Sequence, residues 1–373
     1  MIPLQDLLVA AKERSASDVL VMAGDTPAMR VAGEWVRFDY PKCTADEMEK
    51  MVRDMMRAES WAELQDKRDL DFSCSYPKTG RVRCNVHFQR DNLAIVLRLV
   101  WPTIPDPRQL GIPSHVVKAG DMPHGLMLVS GPTGSGKSTT LAAIVEHINR
   151  HRAAHVITLE DPIEFIYANR KSIIEQREIG SDTPSWHSGL RTVLRQAPDV
   201  IVLGELRDLD SISIALGAAE TGHLVMASVH SSTASGAISR MVDVFPAAQA
   251  SQIRLQLSQT LRMVFAQRLV PSRQPETRTL VYEILVNTPA VANLIRAGEL
   301  EQIPNTISAG REHGMISFAQ CQAELSERGL VNPAVPGAGP VTALSGAAGG
   351  APATNGGTRV NGNGKNGKAP AVA

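Results

Sequence analysis

The sequence has no apolar run long enough to form a membrane-spanning helix. Its first six residues, Met-Ile-Pro-Leu-Gln-Asp, also lack the basic and apolar segments of a secretory signal peptide. Both absences argue against an integral membrane protein and against export. We therefore expect the chain to stay in the cytosol.

An excess of positive charge is also absent, because 38 Lys and Arg residues are balanced by 38 Asp and Glu residues. Only 4% of the residues are aromatic. A nucleic-acid translocase needs cations for the phosphate backbone and aromatic rings for the bases, so this composition predicts no nucleic-acid partner. Cysteines in Cys-x-x-Cys spacing are missing too, so we expect reduced thiols and neither a thiolate zinc site nor a redox dithiol.

The 373 residues, 43% of them hydrophobic, are enough for two domains with substantial cores. Residues 1–100 have the pattern of a small α+β domain. Its predicted elements are helices at 4–14 and 44–65 and strands at 18–22, 28–31, 69–75, 80–88 and 93–99. Pro102, Pro105 and Pro107 interrupt regular structure and predict a linker over residues 101–115.

Strands alternate with helices from residue 124 onward, a pattern typical of a parallel sheet covered on both faces. We place this α/β domain at residues 116–332. Its predicted elements are strands at 126–130, 155–159, 200–204 and 224–229, helices at 208–220 and 234–242, and a mostly helical part from 247 to 331 with one strand at 279–285. Residues 333–373, rich in Gly, Ala and Asn, predict a disordered tail.

Residues 131–138 read Gly-Pro-Thr-Gly-Ser-Gly-Lys-Ser, a complete phosphate-binding loop between a predicted strand and a predicted helix. Its glycines allow positive φ and leave backbone N–H groups uncovered for a β-phosphate at the helix N-terminus. The Lys137 ammonium would reach the β- and γ-phosphates, and the Ser138 hydroxyl would bind Mg²⁺. The loop predicts ATP and Mg²⁺ as ligands. The predicted nucleotide-binding residues of this segment are Gly131, Pro132, Thr133, Gly134, Ser135, Gly136, Lys137, Ser138 and Thr139.

Two acidic segments follow predicted strands. Because the carboxyl ends of parallel strands meet at one edge of a sheet, we expect Glu205 beside the phosphate loop, where it can hold the hydration shell of Mg²⁺. Glu164 is the predicted catalytic carboxylate, which would orient a water in line with the γ-phosphate. Glu160 and Asp161 are predicted to tune the outer shell of the metal or to bind neighbouring backbone. Taken alone, each segment also fits an ordinary strand end or a solvated loop.

Two histidines and two arginines complete the candidate set. His223 and His230 flank the predicted strand 224–229, and their odd spacing argues against a shared metal. His230 follows the carboxyl end of that strand, where a sensor of the γ-phosphate would lie. Arg83 and Arg98 lie on predicted neighbouring antiparallel strands and could converge on one phosphate, although a cationic, solvated sheet face fits them equally well.

In this order the segments resemble the PilT family of type IV pilus retraction ATPases, within the larger family of secretion ATPases. The resemblance covers residues 4–331. It rests on the phosphate loop together with Glu160-Asp-Pro-Ile-Glu164, Gln176-Arg-Glu178, Gly204-Glu-Leu-Arg-Asp208 and Ala219-Glu-Thr-Gly-His223.

The resemblance implies a PAS-like first domain, a RecA-like P-loop core and a homohexameric ring that hydrolyses ATP to retract a pilus in twitching motility. It implies an inner-membrane platform protein as partner, a peripheral location at the pilus base, and a paralogous retraction ATPase as a further partner. It assigns catalysis to Glu164, Glu205, His230, Arg83 and Arg98 and nucleotide contacts to Glu160, Asp161 and His223, beside the phosphate loop. Ser138 and Glu205 would serve the metal.

One late segment departs from the family pattern. The family reads Ala-Ile-Arg-Asn-Leu-Ile-Arg, whereas this chain has Val291 and Ala292 in place of the Ile and the first Arg. That motif is associated with retraction rather than hydrolysis, so the change concerns the output of the motor. Two alternatives remain at this point: a pilus assembly or type II secretion ATPase, and a weakly hydrolysing regulatory paralogue of the retraction motor.

Overall fold

A computed structural model describes residues 3–31, 33–100, 104–274 and 277–332. Within these ranges the chain forms two β-sheets flanked by helices. The predicted tail, residues 333–373, and residues 101–103 of the predicted linker lie outside the described residues. The domain boundaries themselves stay predictions. In the described part of the chain, no helix has the length and apolar character needed to cross a membrane.

The first sheet is antiparallel, with the strand order β3-β2-β1-β6-β5-β4. Its strands are β1 (Asp18–Met22), β2 (Ala28–Val31), β3 (Glu34–Arg37), β4 (Asp69–Tyr76), β5 (Gly80–Gln89) and β6 (Asn92–Leu99). The helices of this part are α1 (Leu4–Glu13), α2 (Ala45–Met55) and α3 (Ala58–Lys67).

Side chains alternate across β5, because successive residues of a strand point to opposite faces. Val82, Cys84 and Val86 are buried in the core shared with α1 and α2, whereas Arg81 and Arg83 lie on the other face. The same alternation that builds the core of the first sheet therefore directs two arginines out of it.

The second sheet has seven strands in the order β13-β12-β7-β11-β10-β8-β9. All neighbouring pairs are parallel except β12 and β13. The strands are β7 (Gly125–Ser130), β8 (His155–Glu160), β9 (Ile173–Glu178), β10 (Val200–Leu203), β11 (Leu224–Val229), β12 (Leu261–Pro271) and β13 (Arg278–Val286). The helices are α4 (Ser114–Val117), α5 (Lys137–His151), α6 (Trp186–Val193), α7 (Leu209–Glu220), α8 (Ala234–Asp243), α9 (Ala247–Thr260), α10 (Pro289–Ala297), α11 (Ile303–Ala309) and α12 (Phe318–Glu327).

Both faces of this sheet are covered. Along β7, Leu126 and Leu128 pack into one core with helices α7 and α8, and Met127 and Val129 pack into another core with α5. Every residue of β7 and β11 is buried, as expected for central parallel strands. The sheet is therefore a rigid support whose carboxyl edge holds the loops described below.

The structure corrects two predicted elements. Residues 44–65 form two helices rather than one, because Met56 has extended backbone between α2 and α3, although no Pro or Gly marks the break. The segment after residue 247 is less helical than predicted, because Leu261–Pro271 is an eleven-residue strand. This strand lies between β7 and β13 and is buried on both faces, so it lacks the polar alternation that would distinguish it from a helix. Strands β3 and β9 and helix α6 were not predicted.

Candidate active site

Four loops meet at the carboxyl edge of the second sheet, where they follow β7, β8, β10 and β11. They enclose a cavity of about 610 Å³. Its polar lining includes Arg83, Thr133, Lys137, Ser138, Thr139, Glu160, Asp161, Glu164, Glu205, Arg207 and His230. The predicted phosphate loop, acidic segments and strand-end histidine therefore come together at one place.

The phosphate loop turns sharply between β7 and α5. Gly131, Gly134 and Gly136 all have positive φ, and a Cβ atom on Gly131 would lie 2.4 Å from the carbonyl oxygen of Gln267. Helix α5 begins at Lys137, so its first N–H groups point at the loop without intrahelical acceptors. This arrangement is suited to an anion such as a phosphate.

Lys137 lies folded back over the loop. Its Nζ donates hydrogen bonds to the carbonyl oxygens of Gly131 at 3.0 Å and Pro132 at 3.1 Å. Burial lowers the pKa of Lys137 from its ordinary value of 10.5, while Glu205 and Glu164 oppose that shift. Both carboxylates are therefore close enough to interact with the ammonium group. Gly131, Pro132 and Ser135, by contrast, shape the loop without lining the cavity among the described residues.

Gln267, on strand β12, was missed by the sequence analysis. Its side chain is buried, accepts a hydrogen bond from Thr140 Oγ1 at 2.8 Å and donates one to the carbonyl of Ser135 at 2.6 Å. It ties the phosphate loop and the first turn of α5 to the neighbouring strand. The contact spans about 130 residues of sequence, and the strand that carries it was predicted as helix, so no local signal pointed to it.

Glu160, at the end of β8, is turned toward the protein. Its carboxylate accepts hydrogen bonds from Thr158 Oγ1 at 2.6 Å and from Gln176 Nε2 at 3.1 Å. Burial raises the pKa of Glu160 above its ordinary value of 4.5, although these hydrogen bonds oppose the shift. The observed partners of Glu160 are thus the side chains of neighbouring residues, whereas Asp161 and Glu164 are exposed at the cavity.

Glu205 and His230 face each other across the ends of β10 and β11. His230 Nε2 lies 3.3 Å from Glu205 Oε1, and Arg207 Nη2 lies 2.6 Å from Glu205 Oε2. Arg240 of α8 donates to the carbonyl oxygen of His230 at 3.0 Å and fixes the backbone there. Burial lowers the pKa of His230, so the imidazole is neutral at pH 7.

Two predicted site residues lie elsewhere in this chain. Arg83 and Arg98 are cross-strand partners, as expected, but Arg83 alone of the two lines the cavity, and Arg98 Nε donates to Asp18 Oδ1 at 2.9 Å. His223 precedes β11, at the opposite edge of the sheet from His230, where its Nδ1 donates to the carbonyl of Ala218 at 3.1 Å. A six-residue strand is roughly 20 Å long. Arg98 and His223 therefore do not line the cavity of their own chain, and their predicted roles stay predictions.

Comparison with known proteins identifies the family. The model of the type II/IV secretion system protein family matches residues 113–327. The chain is 36% identical to the type IV pilus retraction ATPase PilT of Pseudomonas aeruginosa, over 88% of this chain and 95% of that protein. The chain belongs to the PilT family of secretion ATPases.

Two further PilT-family relatives refine the comparison. A crystal structure of the pilus retraction motor PilT with bound ADP matches with a TM-score of 0.83 and 39% identity, and covers 89% of this chain and 95% of the other. The type IV pilus ATPase PilU of Pseudomonas aeruginosa is 35% identical over 88% of this chain and 86% of that protein. The predicted fold class, a RecA-like P-loop core preceded by a small PAS-like α+β domain, is confirmed, and the protein is a P-loop ATPase.

Proposed function

We propose that this ATPase is the motor that retracts a type IV pilus and so powers twitching motility. The observation that carries the proposal is the meeting of Lys137, Glu164, Glu205 and His230 at one cavity, in a chain that matches PilT over nearly its whole length. This polar, cationic and carboxylate-lined cavity suits a nucleoside triphosphate. The site thus supports ATP hydrolysis, and the similarity to PilT supports pilus retraction as the work that hydrolysis drives.

The position of each side chain at the cavity suggests its role in hydrolysis. Backbone N–H groups of the loop and the Lys137 ammonium hold the phosphates, and the rigid cradle positions them before reaction. Glu164 is exposed at the cavity and can accept a proton from a water while aiming it at the γ-phosphate. Neutral His230 can donate a hydrogen bond to the γ-phosphate, and Arg83 can stabilise the charge that develops on it.

The same cavity suits Mg²⁺. Ser138 offers a hydroxyl oxygen and Glu205 a carboxylate oxygen, the hard donors that this ion prefers beside phosphates and waters. When bound, the ion would neutralise charge on the β- and γ-phosphates and fix their orientation. Arg207 and His230, the present partners of Glu205, are side chains that can reorient when the carboxylate serves a metal.

For the assembly, we propose a homohexameric ring on the cytoplasmic face of the inner membrane, docked on an integral platform protein at the pilus base. In a ring, movement of the first domain of one subunit can be passed to the neighbouring subunit, so hydrolysis can be converted into displacement. It also offers a setting in which Arg98 and His223, remote from their own cavity, could serve a neighbouring site. Mass measurement in solution with and without ATP tests the ring, and a monomer under both conditions contradicts it.

Gene deletion combined with counting of surface pili tests the function. The retraction motor predicts cells that carry pili but neither retract them nor twitch, restored by the wild-type gene and not by Lys137→Ala. Loss of pili altogether would instead identify an assembly or secretion ATPase. Unchanged pili and unchanged twitching would contradict the proposal.

The second candidate is a regulatory paralogue that joins the ring of another retraction motor and hydrolyses little ATP itself; the chain is similar to two different type IV pilus ATPases, PilT and PilU. The departures at Val291 and Ala292 are compatible with it. Purified protein distinguishes the two: a motor turns over ATP alone, whereas the paralogue binds ATP and needs the partner ATPase for turnover.

A further inference from the structure

One face of the β4–β5 hairpin rests on the ATPase core at a single buried carboxylate. Ser73 of β4 and Arg81 of β5 both bind Glu178, the last residue of β9. Arg81 Nη2 lies 2.6 Å from Glu178 Oε2, and the Ser73 hydroxyl donates to Oε1. The Glu178 residue is 3% exposed, so solvent screens this contact little.

The same carboxylate holds the acidic loop of the active site. The backbone N–H of Ile163 donates to Glu178 Oε2 at 2.9 Å. Glu178 thus fixes the peptide group of the residue immediately before Glu164. The Ile163 side chain is itself buried, which leaves this part of the loop little freedom to shift.

Arg83 belongs to the same contact. It lies two residues after Arg81 on β5 and therefore on the same face, and it lines the nucleotide cavity. In the antiparallel register Ser73 lies directly opposite Arg83. Docking of one hairpin face therefore sets the position of Arg83 directly and that of Glu164 through Glu178.

We propose that Glu178 is a positioning residue that makes hydrolysis depend on the docking of the first sheet. While Arg81 and Ser73 bind its carboxylate, Glu178 accepts the hydrogen bond from the Ile163 N–H, and the Glu164 side chain faces the cavity. When the hairpin moves away, the carboxylate loses these two partners and the loop loses its fixed acceptor. The proposal deepens the proposed function, since it adds a coupling between a first-domain contact and the catalytic carboxylate of the same site.

A purely structural ion pair is the competing explanation, because removal of one partner of a buried pair destabilises a fold whatever the pair does for catalysis. The two explanations differ in the effect that Arg81→Ala has on the acidic loop and on ATP turnover. Among the described residues, the Arg81 side chain makes no hydrogen bond to residues 161–166 and does not line the nucleotide cavity. Only the coupling predicts that its loss loosens residues 161–166 and slows turnover in protein that remains folded.

Hydrogen exchange tests the coupling without reference to activity. In full-length Arg81→Ala and Glu178→Gln, the amide hydrogens of residues 163–166 should each exchange roughly tenfold faster than in wild type, because both substitutions weaken the hydrogen bond of the Ile163 N–H. Arg37→Ala is the matched control, since it removes an exposed ion pair, with Asp25 at 2.6 Å, on β3 at the opposite edge of the first sheet from β4. It should leave that exchange unchanged.

Steady-state kinetics supplies the second test. Arg81→Ala and Glu178→Gln should lower kcat roughly 10- to 100-fold while KM for ATP changes less than about threefold, because the reacting carboxylate is misplaced rather than the phosphate loop. Arg81→Lys, which keeps the charge, should recover part of the loss in kcat.

Equal amide exchange and equal kcat in Arg81→Ala and Arg37→Ala would overturn the proposal. If the wild-type protein hydrolyses no ATP alone, the motor function fails, and the exchange comparison still decides the coupling.

Discussion

His230 and Glu205 lie at the ends of neighbouring parallel strands, with His230 Nε2 3.3 Å from Glu205 Oε1. Burial and the charges of Lys137, Arg207 and Arg240 lower the pKa of His230 below its ordinary value of 6.5, and Glu205 opposes them. The imidazole therefore binds a proton less readily than a free histidine. A neutral imidazole can donate from one nitrogen and accept at the other, which suits a group between a carboxylate and a phosphate.

Because Lys137 and Glu205 carry opposite charges, their removal should shift the pKa of His230 in opposite directions. Lys137→Ala removes a cation, so the pKa of His230 should rise, and Glu205→Gln removes an anion, so that pKa should fall further. Titration of the imidazole by NMR in the full-length protein measures both. A shift of the same sign in the two variants would show that His230 does not sense these charges.

Glu164→Gln should lower kcat roughly 10²- to 10⁴-fold, the usual contribution of a general base, and leave ATP affinity nearly unchanged. The substitution keeps the shape of the side chain and removes its ability to take a proton. Steady-state ATP turnover and equilibrium ATP binding provide the readout. Glu175→Gln is the control, since Glu175 is exposed on β9 and pairs with His155. Turnover of Glu164→Gln close to that of the control would remove Glu164 from its catalytic role.

Gln267→Leu should lower the free energy of unfolding by about 1–3 kcal/mol, because it leaves the buried Thr140 hydroxyl and the Ser135 carbonyl without their partner. KM for ATP should rise as well, since the phosphate loop loses its anchor on β12. Denaturant unfolding and steady-state kinetics measure the two effects. Gln249→Ala, at an exposed position on α9, should change neither. A stable Gln267→Leu variant with unaltered KM would show that the loop holds its shape without this contact.

Gly131→Ala should be more damaging than Gly134→Ala. A Cβ atom at residue 131 would lie 2.4 Å from the Gln267 carbonyl oxygen, which is backbone of a central strand and cannot move aside. At residue 134 a Cβ has open space, so the cost there is limited to a left-handed backbone at φ +75°, roughly 1–2 kcal/mol. Thermal unfolding and ATP binding compare the two, and equal loss in both would contradict the proposed close approach.

Much of the site could be predicted because its chemistry is local in sequence. The phosphate loop follows one strand, β11 was predicted with the observed ends Leu224–Val229, and the helix predicted from Asp208 begins at Leu209 with Asp208 as its N-cap. The meeting of Lys137 and Glu205 then follows from one rule, that parallel strands deliver their loops to the same edge.

The remainder depends on contacts that sequence spacing does not encode. Strand β12, buried on both faces, has no alternation that separates it from a helix, so Gln267 was missed with it. Edge strand β9 reads Ile-Ile-Glu-Gln-Arg-Glu, which has little strand character, and the role of Glu178 depends on the docking of Arg81 from the other sheet. His223 was assigned to the site by resemblance alone; in this chain it precedes β11, at the opposite end of that strand from His230, and its role stays a prediction.

The most direct test is a structure of the full-length protein with a non-hydrolysable ATP analogue and Mg²⁺. We predict the β- and γ-phosphates inside the loop at residues 131–138, with Lys137 on them, Glu205 on the metal side, and Glu164 and His230 facing the γ-phosphate. A triphosphate bound elsewhere, or one that leaves Glu164 and Glu205 turned to different surfaces, would contradict the account.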